Sequence, residues 1–579
     1  MHGWTLPGVI QIGAVNLLGE PNGLSQLSHG RFIDPQTGTT MDADVRAAIQ
    51  DRLSRLSKRV TSESETFWPD ILPARPGREA LETSDNPNIP SGYTYLLQLM
   101  AHDMVDSGVA AATPGTVPIN GRSRPLMLDT IYGLGPDASP WAYDSELAGD
   151  VYQNEPGRLP RRYLRTAPQQ EKTPPSPRTA CPFQDIARSG VNRSDGSILL
   201  TEALVSDPRN DAHALMSQTA VLFHLAHNAI YKMIAKATGN DRSTDVEFAY
   251  RLFACSRAIL TLIYRRIVRY DVLPRILHPD VMALYGKGVV PLSPFNGVPV
   301  EFSRGAFRFA HAMVRSDYQF NANSHKGPGT KSFVELSSRR EPESMPLAAD
   351  WMVDWAFFFD LRDKIAGAPA PNLSRRMGPR YPNALDIDAV FLPKSEHDGT
   401  GLSYRDYKST IAAGQWKVSE LMARMKPLLK PGRAGAAQLL PDFKTTWQPA
   451  IKAWLAKSET LSAEDCMLLS EDPPWPFFVL FEAGFKPSAT APTCKGMGRH
   501  LGPVGSLVTA ETIIGALAAN PVVKDEWTTL KGAVREACRV HLDRADITSE
   551  LTGENAQLPE DMASFLIFLN RENALQPAP

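Results

Sequence analysis

The sequence lacks the long apolar runs and the N-terminal leader that mark membrane and secreted proteins. A helix that spans a bilayer needs roughly 18 apolar residues, whereas the apolar runs at 477–481 and 508–517 are short and have charges nearby. Residues 1–20 do not combine the basic start, the uninterrupted apolar stretch and the cleavage site of a secretory signal. We therefore expect no transmembrane segment and a cytoplasmic location by default, while export without a signal stays open.

Cysteine pairs and an excess of charge are also missing. The net charge is -2, the isoelectric point is about 6.7, and no block of Lys and Arg is interleaved with aromatic residues, which argues against a nucleic-acid partner. The five cysteines are odd in number and include no CxxC pair, so they fit reduced thiols better than a disulfide framework or a zinc site. They are Cys181, Cys255, Cys466, Cys494 and Cys538.

Helical periodicity, by contrast, runs through most of the chain. Apolar residues recur at intervals of three and four, and the alternation that is typical of strands is scarce. In the longest stretch Asp207 is the predicted N-cap, Pro208 the first helical residue and Gly239 the stop. We therefore predict a mainly α fold. The stretches with helical period are 42–60, 92–106, 206–239, 245–270, 346–365, 404–425, 442–455, 509–517 and 523–546.

Composition suggests one large domain preceded by an arm. Residues 1–84 mix turns with a single helix and end in a loop rich in Pro, Asp and Asn, so we expect an arm packed on the body. We assign residues 85–579 to the large domain. Within it, residues 155–183 contain seven prolines among polar residues, which predicts a flexible, exposed loop.

Three helical stretches carry residues with chemistry. In GYTYLLQLMAHDMVD, Gln98 and His102 are four residues apart and share one face of an otherwise apolar helix. That face could line a pocket, or His102 could be a core histidine bonded to a backbone carbonyl. In the stretch from Ser206, Arg209 and His213 are also four apart, and a guanidinium beside a neutral imidazole can polarise an O–O bond while the imidazole moves a proton. The alternative is a surface pair of Arg209 with Asp207 or Asp211.

The third stretch, GAFRFAHAMVRSDYQFN, holds His311 among Phe, Ala, Met and Val residues. An imidazole with apolar walls suits an axial haem ligand, although a core histidine fits this stretch equally well.

Together these stretches resemble the peroxidase-cyclooxygenase superfamily, the animal-type haem peroxidases, and in particular its bacterial members. DNPNIPSGYTYLLQLMAHD resembles the distal-histidine segment, SDPRND the catalytic-arginine segment, QTAVLFHLAHN the helix behind it, and FRFAHAMV the proximal-histidine segment. PPWPFFVLFEAGF and RHLGPVGSLVTAETIIGAL resemble core helices of the family. The segments occur in the family's order over residues 85–520, which implies a single large helical domain with haem between the distal and proximal helices.

The resemblance implies a role for each residue. His311 would bind the haem iron on the proximal side, with its other ring nitrogen held by Asp386 or the nearby Asn383. His102 would take a proton from hydrogen peroxide and return it to the departing oxygen, while Arg209 stabilises the charge on that oxygen. Two further roles follow. Gln98 would order water or peroxide, and Arg308 would bind a haem propionate.

Several residues differ from the family pattern, and these differences predict how the haem is held and which reactions are excluded. Alanine occupies both positions from which mammalian members form esters to haem, Ala101 and Ala212, so we expect non-covalent haem b. His213 replaces the methionine that forms a sulfonium link in some members, and it would contact a haem edge or pack passively. Arg308 stands where the dioxygenase branch needs a tyrosine, which argues against lipid dioxygenation, although Tyr318 lies close in sequence.

Calcium is compatible with the sequence but with altered ligands. The family's site starts at the residue after the distal histidine, Asp103 here, and is completed by a loop that resembles LDTIYG. The usual aspartate position of that loop is Met127, while Asp129 falls nearby.

We therefore expect a peroxidase that reduces hydrogen peroxide and oxidises a small organic donor, a halide or thiocyanate. The alternatives are a haem oxygenase or dioxygenase acting on a lipid-like substrate and a haem-binding protein without turnover. The sequence gives no indication of an oligomeric state.

Overall fold

The computed structural model describes most of the chain after residue 42. The described residues are 43–61, 84–106, 120–145, 161–168, 180–239, 245–315, 318–322, 347, 351–382, 385, 399, 401–413, 415–429, 439–485, 497–544 and 558–571.

The fold is mainly helical, which confirms the prediction from periodicity. The α-helices of the described residues are α1 (Ala43–Thr61), α2 (Gly92–Met104), α3 (Asp129–Tyr132), α4 (Ala214–Ala237), α5 (Val246–Ile267), α6 (Leu273–Ile276), α7 (Pro279–Tyr285), α8 (Gly401–Ala412), α9 (Val418–Met425), α10 (Gln448–Leu455), α11 (Ala463–Glu471), α12 (Trp475–Gly484), α13 (Pro503–Ala519), α14 (Leu530–Leu542) and α15 (Met562–Arg571).

Tighter and wider helical turns join these helices. The 3₁₀ segments are Pro140–Ala142, Pro208–Asp211, Ala306–Met313, Trp355–Phe357 and Lys426–Leu428, and the π segments are Val268–Val272, Glu301–Gly305 and Phe443–Trp447. Two of them recur below. Pro208–Asp211 is called the Arg209 turn, and Ala306–Met313 is called the His311 helix.

The described strands are short and form four antiparallel pairs. They are β1 (Asp85–Pro90) with β8 (Leu373–Arg375), β2 (Tyr143–Asp144) with β3 (Tyr163–Leu164), β4 (Thr166–Pro168) with β5 (Gln184–Ile186), and β6 (Arg188–Asn192) with β7 (Ile198–Ala203). Strands β3 and β4 belong to the predicted Pro-rich loop, whose residues 155–160 and 169–179 lie outside the described part. The side chains of Tyr163 and Leu164 are buried.

Helix α2 lies in the core, against α4 and the His311 helix. Its first residue is Gly92, whose added Cβ would lie 2.5 Å from the ring of Phe359, so only glycine allows this close approach. Of the thirteen residues of α2, Gln98 and Ala101 are the two that the protein covers only in part. They lie on the same side of the helix as His102, and that side is therefore the accessible side of α2.

The predicted helix from 206 to 239 is interrupted near its start. The Arg209 turn ends at Asp211, and His213 takes an extended conformation (φ -166°, ψ 166°) as the N-cap of α4. The imidazole causes the break, because its Nδ1 accepts a hydrogen bond from Met216 N at 3.2 Å. Arg209 and His213 are therefore not one helical turn apart, and that expectation was wrong. The predicted stop is observed, since Gly239 follows α4 with φ +69°.

The prediction of a helix over 346–365 was also wrong for the part that is described. Residues 351–365 form irregular turns with one short 3₁₀ segment. Their backbone groups bond to distant segments, as Asp354 N does to Phe320 O at 2.8 Å and Trp355 N to Ala180 O at 3.2 Å. Tertiary contacts here replace the local bonds that the periodicity favoured.

Within the range assigned to the arm, α1 is the described helix. It packs on α8, and Arg52 and Arg55 donate to the carboxylate of Asp465 at 3.1 and 2.9 Å. The division of the chain at residue 84 stays a prediction. Among the described residues, no helix is both long and apolar enough to cross a membrane.

Helices α12 and α13 both contact the His311 helix and are joined by a buried acid. The Glu482 carboxyl accepts hydrogen bonds from Val504 N and Gly505 N at 3.0 Å, at the N-terminus of α13. Burial raises the pKa of Glu482 to about 8. A Cβ on Gly502 would lie within 2.2 Å of this side chain, so glycine makes room for the acid.

We predict that Glu482→Ala lowers the free energy of unfolding by about 1–3 kcal/mol, because two buried N–H groups lose their acceptor. Glu482→Gln, which keeps an acceptor oxygen, should lose less. Thermal denaturation measures both. The control is Glu536→Ala, which removes an exposed pair with Arg539 and should change little. Equal melting temperatures for Glu482→Ala and Glu536→Ala would contradict this role of Glu482.

Candidate functional site

His102 lies near the C-terminal end of α2 and is held through one ring nitrogen. Its Nδ1 is 3.0 Å from Asn210 Oδ1 in the Arg209 turn, and its Nε2 has no hydrogen-bond partner among the described residues. The residue is 9% exposed. The sequence left open whether His102 bonds to a backbone carbonyl; its partner is instead an asparagine side chain.

A buried carboxylate, Asp207, organises the charges behind His102. Its two oxygens accept from Arg209 Nε and Nη2, from Arg122 Nη2 and from Thr130 Oγ1, at 2.7 to 3.0 Å. Although burial raises it, hydrogen bonds from Arg209 and the charge of Arg209 lower the pKa of Asp207 to about 2. Asp207 is therefore ionised at every physiological pH.

Arg209 makes mostly structural contacts. Four of its five side-chain N–H groups are used: Nε and one on Nη2 by Asp207, one on Nη1 by Val105 O at 2.7 Å, and one on Nη2 by His102 O at 2.8 Å. Arg122 Nε also donates to His102 O, at 3.1 Å. The pair with Asp207 that the sequence offered as an alternative is present, and it places the guanidinium directly behind His102.

This environment keeps His102 neutral. Burial and then the charge of Arg209 lower the pKa of His102 to about 4, against the opposing hydrogen bond to Asn210. A neutral imidazole can accept a proton, which an imidazolium cannot.

Gln98 and His213 form a second pair beside His102. Because Nδ1 of His213 accepts from Met216 N, its Nε2 carries the proton and donates to Gln98 Oε1 at 2.9 Å. The amide nitrogen of Gln98 has no hydrogen-bond partner among the described residues. Burial, and second the repulsion from His102 once that residue is protonated, lower the pKa of His213 to about 3. His213 thus caps α4 and orients Gln98, which is more than passive packing.

His311 lies on the His311 helix and is held in the same way as His102. Its Nδ1 is 2.7 Å from Asp406 Oδ2 of α8, so Nδ1–H donates to the carboxylate. Its Nε2 has no hydrogen-bond partner among the described residues, and the side chain is 30% exposed while that of Asp406 is fully buried. An imidazole fixed at Nδ1 with an open Nε2 has the form of a metal ligand with an oriented second nitrogen.

Asp406 was not among the residues expected from the sequence. The expected acceptor, Asp386, and the nearby Asn383 lie outside the described residues, and the described partner of His311 is Asp406. It also accepts from Arg308 Nη1 and Tyr381 OH, both at 3.2 Å. Arg308 therefore belongs to the same cluster as His311, whereas its expected contact with a propionate stays a proposal.

The two residues considered for calcium have other partners. Asp103 accepts from Leu128 N at 2.9 Å and from Thr130 N at 3.1 Å, and burial raises its pKa to about 7. Asp129 pairs with Arg257 Nη2 at 2.6 Å. A guanidinium at this position repels a cation, and no group of three or more His, Cys, Asp or Glu residues that could hold a metal occurs in the described part of the chain. These residues fit the anchoring of a loop and do not fit calcium.

Sequence reasoning missed Asn210 and Asp406. Asn210 adjoins Arg209 in the SDPRND segment, but nothing local indicates its partner. Asp406 had a detectable signal, because Ser403, Asp406, Tyr407 and Thr410 form a buried face at helical spacing in α8. An acid on such a face needs a partner.

The model of the animal haem peroxidase family matches residues 161–351. This range contains Arg209, Asn210, Arg308 and His311, whereas His102 precedes it. The match covers less than half of the chain, and it shows that this segment of a mainly helical fold is similar to the animal haem peroxidases.

Particular relatives are distant. No curated protein matches the sequence. Two solved structures are similar over most of both chains. Peroxidase A from Dictyostelium discoideum has 13% identity and a TM-score of 0.46 over 91% of this chain and 90% of its own. A variant of the Oryza sativa fatty acid alpha-dioxygenase with palmitic acid has 13% identity and a TM-score of 0.43 over 95% and 90%. These scores do not decide between the two activities.

We predict that His102 takes up a proton near pH 4, well below the ordinary value of about 6.5. The unfolded chain binds this proton near 6.5, so the contribution of His102 to stability is present above that value and is lost as the pH falls through 4. Arg209→Leu should raise the pKa of His102, because it removes a positive charge and leaves Asp207 less neutralised. NMR titration of ¹⁵N-labelled histidine measures both values. His541, which is far from this cluster in sequence and is influenced by Arg251, is the control. A pKa of His102 that Arg209→Leu leaves at about 4 would exclude this electrostatic role.

Proposed function

We propose that this protein is a haem-dependent peroxidase, which reduces hydrogen peroxide and oxidises a small organic, halide or thiocyanate donor, with haem b bound non-covalently. The proposal rests on two histidines that lie on helices in contact with each other and whose ring nitrogens have the same pattern of partners. His102 and His311 each have Nδ1 fixed by a buried side chain and Nε2 without a described partner. Neither arrangement is expected of a core histidine, whose polar atoms are normally all bonded.

The residues on the His311 side fit a haem group. Nε2 of His311 would bind the iron, and the two other donors to Asp406, Arg308 and Tyr381, would hold the carboxylate that orients the imidazole. A carboxylate acceptor gives the imidazole more negative charge than an asparagine does, and this would lower the reduction potential of a bound iron. Arg308 donates to Asp406 and to Ser303 O and has further N–H groups. It is therefore our candidate to bind a haem propionate.

The accessible side of α2 supports the same proposal. Gln98 and Ala101 are the residues of α2 that the protein covers only in part, and Ala101 and Ala212 offer no carboxylate for an ester. The haem would therefore be held by ligation and packing, and when bound it supplies the electrons that cleave the O–O bond.

The described side chains can then move the proton and stabilise charge. His102, neutral through burial and the charge of Arg209, would accept a proton from the bound peroxide oxygen at Nε2 and deliver it to the departing oxygen. The guanidinium of Arg209 would stabilise the negative charge on that oxygen through its field and its remaining N–H. The amide of Gln98, oriented by His213, would donate to water or peroxide.

We predict that His102→Leu slows the reaction of the haem-loaded protein with peroxide by about 10²- to 10⁴-fold, which is the usual loss for a general acid–base group. Stopped-flow absorbance with a phenolic donor measures the rate. His541→Leu, outside the site, is the control and should react as the wild type does. Acid organic solvent should extract the haem completely, because no covalent link holds it.

Two outcomes would contradict the proposal. Fatty-acid hydroperoxides formed from oxygen without added peroxide would favour a dioxygenase. A haem absorption band without any reaction with peroxide would favour a haem-binding protein without turnover.

A further inference from the structure

We infer that Asn210 is a positioning residue that forces His102 into the tautomer with the proton on Nδ1 and the lone pair on Nε2. The inference rests on the proposed function, because only a general base needs that lone pair directed away from the protein. Asn210 would belong to a chain of hydrogen bonds, from Asp207 through Thr130 to His102, in which each donor and acceptor is fixed.

Asp207 determines which atoms donate and which accept along this chain. This carboxylate accepts five hydrogen bonds, from the backbone N, Nε and Nη2 of Arg209, from Arg122 Nη2 and from Thr130 Oγ1. A group that accepts from five donors and faces two guanidinium ions carries no proton of its own. Thr130 Oγ1 lies 3.0 Å from Asp207 Oδ2 and 3.4 Å from Asn210 Oδ1, so its hydroxyl proton is directed to the nearer, charged oxygen and its lone pairs are left to accept.

Asn210 is the next residue of the chain and contacts Thr130. Its Nδ2 lies 3.0 Å from Thr130 O and 3.2 Å from Thr130 Oγ1. A backbone carbonyl can only accept, so the Asn210 atom that faces it must be the NH₂ group. The orientation of the Asn210 amide therefore follows from its hydrogen-bond partners. Oδ1 then necessarily faces His102.

The last step fixes the histidine. An amide oxygen has no proton, so the 3.0 Å contact between Asn210 Oδ1 and His102 Nδ1 is a hydrogen bond only if Nδ1 carries the proton. With Nδ1 protonated and the ring neutral, Nε2 is a lone pair. The opposite tautomer would set two lone pairs against each other in a buried site and leave both unsatisfied.

Thr130 is also held by a hydrogen bond to α2, which makes the chain of hydrogen bonds rigid. Thr130 N donates to Asp103 Oδ1 at 3.1 Å, and Asp103 directly follows His102 in α2. His102, Asp103, Thr130 of α3 and Asn210 of the Arg209 turn thus form a closed ring of contacts. Any rotation of the imidazole breaks a bond in that ring.

The tautomer can be measured in the haem-free protein by NMR of ¹⁵N-labelled histidine, with the His102 signals identified by their loss in His102→Gln. We expect wild-type His102 to carry its neutral-state proton on Nδ1. Asn210→Leu, which is similar in size and cannot accept, should populate the tautomer with the proton on Nε2. Asn210→Asp, which still accepts, should keep Nδ1 protonated. A proton on Nε2 in the wild type would overturn the inference, and so would an unchanged tautomer in Asn210→Leu.

A matched control separates this role from a general loss of stability. Asn228 is another buried asparagine, and it bonds to Leu164 N and O at 2.9 and 2.8 Å. Asn228→Leu should leave the His102 tautomer unchanged. In the haem-loaded protein, Asn210→Leu should slow the reaction with peroxide by about 10-fold or more relative to Asn228→Leu, because misorienting a catalytic base is costly. Equal rates in these two variants would count against the inference.

The two proposals fail in distinguishable ways. If His102→Gln reacts with peroxide as fast as the wild type, His102 is not the base and the proposed function fails, while the tautomer measurement keeps its meaning. If the tautomer does not respond to Asn210, the inference fails whatever the rate of His102→Gln.

Discussion

The buried carboxylate of Asp207 holds together the three segments that meet at His102. It bonds to α3 through Thr130, to the Arg209 turn through Arg209, and to the segment after α2 through Arg122. Both arginines continue to the carbonyl oxygen of His102. A buried charge is expensive unless it is fully paired, and here the pairing partners are the groups that fix the position and the charge of the imidazole. The ionised state of Asp207 therefore underlies the geometry around His102.

A second buried carboxylate, Asp406, fixes the position of His311. Asp406 is covered completely and accepts from His311, Arg308 and Tyr381. The two histidines differ in the charge behind them. His102 bonds to a neutral amide and lies in front of a guanidinium, which favours a neutral base, whereas His311 bonds directly to a carboxylate, which makes its other nitrogen a stronger ligand. In the proposed function, the partner of Nδ1 would therefore suit one histidine to act as a base and the other to act as a ligand.

The sequence was sufficient for features that depend on local patterns. The helical period of residues 245–270 predicted α5, and the structure shows that Asp245 caps it, because its carboxylate accepts from Glu247 N and Phe248 N. It was insufficient where the partner is remote. Asn210 is 108 residues from His102, and Asp406 is 95 residues from His311, and a single sequence contains no rule that pairs them.

The break before α4 was missed for a related reason. A histidine at 213 is compatible with a continuous helix, and only its capping bond and its contact with Gln98 in α2 favour the extended conformation that is observed. The segment 351–365 is similar, since its carboxylate at Asp354 bonds to Ala180 N at 2.8 Å. In both places a tertiary contact outweighs the helical period of the sequence.

The central proposal is that His311, oriented by Asp406, would bind the iron of a haem through Nε2. Resonance Raman spectroscopy of the reduced, haem-loaded protein tests it most directly, because the iron–histidine stretching band reports both the bond and the charge on the imidazole. The account predicts a band that is absent in His311→Ala, moves to lower frequency in Asp406→Asn and moves to higher frequency in Tyr381→Phe, where the carboxylate loses a competing donor. A band that persists in His311→Ala, or that neither Asp406→Asn nor Tyr381→Phe shifts, would contradict it.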